Sequence, residues 1–79
     1  MKKNNRNIIG VRLKNARLSE KPKATQKDIS ARLEIEGINL SDSTIGKIEN
    51  GTSAVTDIQL MAFAKVLKVS PVWLLTGKE

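Results

Sequence analysis

The chain has 79 residues and a formal net charge of +6, with 28% charged and 39% hydrophobic residues. That length supports one domain with one modest core, and the basic balance favours a polyanionic partner, nucleic acid before a membrane surface. Cysteine is absent, which excludes disulfides and thiolate chemistry, and no apolar run approaches the roughly 18 residues that span a bilayer.

The charge is unevenly placed. Residues 1–27 carry nine Lys or Arg against Glu20 alone, a balance of +8, whereas residues 28–79 carry five basic and seven acidic residues, a balance of −2. The opening MKKNNRN is basic but no apolar signal-peptide core follows it. The expectation is a cytoplasmic protein with a flexible basic arm over 1–7 and a single domain over 8–77.

Strand signals are weak and helix signals plentiful. A first helix is expected over 8–19, with Ile9, Leu13 and Ala16 on one face and Arg17 bordering that stripe. Pro22 disfavours helix at the residue before it, so 20–24 reads as a loop. A second helix starts at Thr25, where Thr-Gln-Lys-Asp resembles a capping box; Ile29 and Leu33 face inward and Gly37 ends it. Ile38 and Leu40 then plug the turn between helices.

A third helix follows Ser41, a natural N-cap, and stops at Asn50-Gly51. A fourth starts from Thr56, again with capping-box spacing, and turns Leu60, Phe63, Ala64 and Leu67 inward. A short fifth begins at Ser70-Pro71, with proline at the first helical position; Val72, Trp73, Leu74 and Leu75 are expected to close the core, and Gly77 ends it. Five short helices make an all-α bundle, and the second and third, joined by a short turn with glycine, form a helix-turn-helix.

The third helix is unusual on its outer side. Ile45 and Ile48 anchor it, leaving Asp42, Ser43, Gly46 and Lys47 outward. A mid-helix glycine costs about 1 kcal/mol relative to alanine. Poor helix formers on an exposed face point to close approach by a partner, and the DNA major groove admits a helix with short polar side chains.

The ordered set Ile9-Gly-Val-Arg-Leu-Lys-Asn-Ala-Arg17, Thr25-Gln26, Ile45-Gly-Lys-Ile-Glu-Asn-Gly51 and Ala64-Lys-Val-Leu-Lys-Val-Ser-Pro-Val-Trp-Leu-Leu75 resembles the phage Cro/C1-repressor type of helix-turn-helix domain, the XRE family. The likeness covers about 8–77 and implies a lambda-repressor-like fold. It implies base reading by Asp42, Ser43, Thr44 and Lys47. It implies phosphate contact by Thr25, Gln26 and Lys27 and by Asn50, Gly51, Thr52 and Ser53, the last four as a loop whose backbone N–H groups clamp phosphate. It also implies an ion pair between Arg17 and Glu49, and a dimer contact around Val72 and Trp73.

Two departures from the family pattern stand out. About five extra residues fall within 32–42, expected as a longer second helix and a wider turn, and about two fall within 20–24. The first insertion brings Glu34 and Glu36 toward the DNA side unless they turn away. The third helix is barely basic, its Asp42, Lys47 and Glu49 giving −1, so affinity must come from phosphate contacts elsewhere, with Lys2, Lys3 and Arg6 as an electrostatic supplement.

The expected function is therefore a sequence-specific double-stranded-DNA-binding regulator, a repressor on a palindromic operator, forming a weak or DNA-induced homodimer. The alternative is an antitoxin or adaptor that uses the same fold to dock on a protein partner. No cofactor or metal is implied. Enzymatic activity is disfavoured: the chain has no His, Cys or Tyr and no phosphate-binding glycine loop.

Overall fold

The computed structural model describes residues 5–78; Lys2 and Lys3 of the expected arm lie outside them. Among the described residues there are five helices and no strand: α1 (Gly10–Leu18), α2 (Gln26–Ile35), α3 (Asp42–Glu49), α4 (Asp57–Leu67) and α5 (Pro71–Thr76). α2 packs on both α3 and α4, α1 on α3 and α4, and α5 on α4.

Helix starts follow local chemistry. Thr25 and Thr56 each accept from the N–H three residues on, while Asp28 and Gln59 reach back to the cap N–H, completing two capping boxes. Ser41 caps α3 through Thr44 N–H, and Ser70 caps α5 ahead of Pro71. Three helix ends share one backbone solution. Gly37 and Gly51 adopt φ of 83° and 85°. The following N–H groups, of Ile38 and Thr52, reach back to Leu33 O and Lys47 O. α4 ends the same way, with Val69 N–H on Ala64 O, but the left-handed position is held by Lys68 at φ 58°.

The core gathers one stripe from each helix: Ile9, Leu13 and Ala16, then Ile29 and Leu33, Ile45 and Ile48, Phe63, Ala64 and Leu67, and Leu74. Each large aliphatic or aromatic side chain buried there contributes about 1.5–3 kcal/mol. Ile45→Ala or Ile48→Ala would cost about 2–5 kcal/mol and unseat α3. The fifth helix corrects its expectation. Leu74 is fully buried and Trp73 packs at the edge, but Val72 and Leu75 are exposed. Six residues make less than two turns, so only one side can face inward.

The segment 32–42 is divided between the last turn of α2 and the connection to α3. α2 stops at Ile35, and six residues lead to α3, with Ile38 and Leu40 packed against the core. Glu36 points to α4, its carboxylate 2.8 Å from Lys65 Nζ; Glu34 is exposed.

Candidate nucleic-acid interface

The sequence of α3 divides it sharply into two faces. Ile45, Ile48 and Glu49 are buried, whereas Asp42, Ser43 and Lys47 are exposed and Thr44 is half-buried. The outer face is partly pre-ordered. Ser41 Oγ lies 3.2 Å from Ser43 Oγ and 2.9 Å from Thr44 Oγ1, and Asp42 accepts from the Ser43 N–H.

A buried carboxylate must be paired to be tolerated. Glu49 receives Arg17 Nε at 2.7 Å and Arg17 Nη2 at 2.9 Å, a bidentate fork, with Gln26 Nε2 at 3.0 Å on one oxygen. The remaining Arg17 nitrogen, Nη1, donates to Ala24 O at 2.9 Å. The hydrogen bonds to Glu49 push the Arg17 guanidinium further above its ordinary value, against the opposing pull of burial. One ion pair thus joins α1, the loop before α2, the start of α2 and the end of α3. Ala24, read from sequence as loop, is buried at this junction.

Gly46 has a different neighbour from the expected one. A Cβ there would sit 3.3 Å from Gln26 Nε2 and 3.5 Å from its Oε1. The glycine makes room for an internal side chain on its way to Glu49, so its presence carries no argument for close approach by DNA.

Thr25 and Lys27 are exposed and Gln26 is half-buried at the start of α2. Gln26 spends one N–H on Glu49 and retains a second. Loop 50–53 is more occupied internally than the expected clamp. Asn50 N–H bonds Gly46 O, Gly51 N–H bonds Ile48 O, and Thr52 N–H bonds both Lys47 O and Asn50 Oδ1. These amides terminate α3 and are committed. The Ser53 N–H has no such partner among the described residues, and Asn50 Nδ2 stays available because Oδ1 takes the Thr52 bonds.

Two residues that sequence reading missed complete the frame. Asn7, assigned to the flexible arm, accepts from the N–H groups of Ile9, the N-cap residue of α1, and Gly10, its first residue, and so fixes the entry to the helix. Asparagine before an apolar-periodic run was the available signal. Arg12 donates to Leu74 O at 3.1 Å, tying α1 to the C-terminal end of α5, where a cation is favoured; nothing local in the sequence marks that contact.

Val72 is exposed, and Trp73 lines an open groove of about 630 Å³ with Asn15, Ala16, Ser19 and Val69. Among the described residues no cluster of His, Cys, Asp or Glu is placed to hold a metal, and no helix is long and apolar enough to cross a membrane.

A helix-turn-helix family model matches residues 13–74, from the middle of α1 to α5. The chain belongs to this family, the Cro/C1-type or XRE helix-turn-helix domains, and is a DNA-binding transcription regulator in that general sense. No curated protein and no solved structure matches it.

Proposed function

We propose that this helix-turn-helix chain is a cytoplasmic repressor that reads a palindromic operator with α3 in the major groove. The carrying observation is the division of α3: its inner face is locked by Ile45, Ile48 and the Arg17–Glu49 pair, and its outer face offers Asp42, Ser43 and Lys47. Lys47 suits a guanine O6/N7 edge, Asp42 a cytosine amine, and Ser43 several bases, with Thr44 at the N-terminal edge. Phosphate contacts from Thr25, the second N–H of Gln26, Lys27, the Ser53 amide and the loop side chains set the register. Gly51 serves the loop through its positive φ rather than through its amide.

Repression is the reading because occupying an operator needs no further surface. A homodimer, weak or induced by DNA, would meet around Val72 and Trp73, placing two copies of α3 about 34 Å apart, one helical turn. Selection from a randomised duplex pool at near-physiological salt tests this. A palindrome with half-sites about one turn apart is expected; an enriched but non-palindromic motif would remove the dimer. The antitoxin or adaptor alternative draws support from the exposed Val72 and Leu75 and from the −1 balance of α3. No enriched duplex together with a stable complex with a purified protein partner would favour it.

A further inference from the structure

Residues 5–7 lie outside the stretch 13–74 that matches the family model, yet they hold the loop that follows α3. The Arg6 N–H donates to Gly51 O at 2.8 Å. A Cβ added to Gly51 would fall 2.7 Å from Asn5 Oδ1, so Asn5 lies directly on that glycine. Asn7 uses both ends of its carboxamide. Its Oδ1 accepts from Ile9 N–H at 3.0 Å and Gly10 N–H at 2.8 Å, and its Nδ2 donates to Ile48 O at 3.0 Å and Ser53 O at 2.7 Å. A neutral carboxamide has two donors and two acceptor lone pairs, and all four are used. Arg6 itself lines a different groove, with Val55, Thr56, Asp57 and Leu60, so backbone and carboxamides hold the loop rather than charge.

The Ser53 N–H sits between two anchors. On one side the Thr52 N–H donates to Lys47 O at 2.9 Å, and Thr52 Oγ1 donates to Asn50 Oδ1 at 2.7 Å. On the other side Ser53 O takes the Asn7 bond, the one hydrogen bond from 53–55 to another segment among the described residues. We infer that Asn7 is a positioning residue for DNA binding, fixing the Ser53 N–H in place before DNA arrives. The inference rests on the reading of that amide as a phosphate contact. A loop residue that must be ordered on binding weakens affinity by its backbone entropy, and a carboxamide already seated on Ser53 O removes most of that cost.

The test is a cycle of affinities for the selected duplex, read at a temperature where circular dichroism shows every protein folded. Full chains are made by chemical synthesis in the wild-type and Asn7→Ser sequences, each with and without an ester in place of the Thr52–Ser53 amide. The ester deletes the Ser53 N–H and leaves every side chain. Serine serves a helix entry about as well as asparagine but has a single donor, too few for Ile48 O and Ser53 O together. Asn7→Asp keeps the acceptor at the same reach and, ionised, has no donor, so the cycle runs on it where Asn7→Ser does not fold. The ester should weaken wild-type binding about tenfold or more, as loss of a hydrogen bond to a charged group does. Asn7→Ser should weaken it about fivefold or more, and the combined protein no more than the ester alone. A purely structural asparagine would lower Tm and leave the affinity of the folded protein unchanged. Unchanged affinity in Asn7→Ser, or losses that multiply in the combined protein, overturns the positioning role while the phosphate reading stands. No loss from the ester overturns that reading, and the role with it.

Discussion

Removing Glu49 should unfold much of what organises α3. In Glu49→Ala the Arg17 guanidinium loses two of its three hydrogen bonds and keeps the one to Ala24 O, on a side chain only 10% exposed. Breaking a buried pair from one side costs about 3–5 kcal/mol, because the surviving charge stays buried and unpaired. A domain of this length holds about 4–12 kcal/mol in all, at roughly 0.05–0.15 kcal/mol per residue. At about 4–8 °C per kcal/mol, Tm should fall by at least about 12 °C. Urea unfolding followed by circular dichroism, with Arg17→Met and the double variant Arg17→Met/Glu49→Leu completing a cycle, measures the loss. The double variant should recover most of it, since apolar replacement of both partners removes the unpaired charge. A loss below about 1 kcal/mol in Glu49→Ala would put the pair in the class of solvent-exposed ion pairs and refute the reasoning.

Other outcomes follow from backbone and charge. Gly10→Ala should cost about 1–3 kcal/mol, since its Cβ would collide with the carbonyl oxygens of Ile48 and Glu49, whereas Gly46→Ala, meeting only the end of Gln26, should be within about 1 kcal/mol of wild type; equal losses by thermal melting would contradict this. Lys68→Gly should stabilise by up to about 1 kcal/mol, because a left-handed lysine closes α4, and a lower Tm would count against it. Arg32 holds the Glu20 carboxyl below its usual range, and the Thr25 N–H does the same for Asp28. Both groups therefore bind fewer protons folded than unfolded. Their stabilisation is complete above the unfolded pKa and is lost as pH falls through the folded one, below about pH 4. Asp28→Asn should flatten that acid limb in urea titrations, and an unaltered limb would contradict the assignment.

Much of this architecture was readable because the signals are local. Thr25, Ser41, Thr56 and Ser70 start helices as their hydroxyls require, and Gly37, Gly51 and Gly77 end them with positive φ. The apolar spacing of Ile9, Leu13, Ile29, Leu33, Ile45 and Ile48 identified the inner faces. What escaped depends on residues distant in the chain. Gly46 looked open to DNA because nothing in its own helix shows Gln26 crossing it from α2. Asn7 looked like part of a polar tail because its partners at Ile48 and Ser53 are more than forty residues away. The loop amides looked available because the backbone closure that consumes them, Thr52 on Lys47 O, is fixed only once α3 ends at Gly51. Lys68 carries no sequence mark of a left-handed conformation, which usually calls for glycine or asparagine.

Whether the outer face of α3 reads bases is decided by the motifs that wild type, Ser43→Ala and Lys47→Ala select from one randomised duplex pool. Both side chains are exposed, so both variants should keep the wild-type fold. Each variant should relax preference at one position per half-site, by about 1–3 kcal/mol for Lys47 on a guanine edge, and leave the other positions intact. Motifs identical to wild type in both variants would contradict it and move base recognition off this helix.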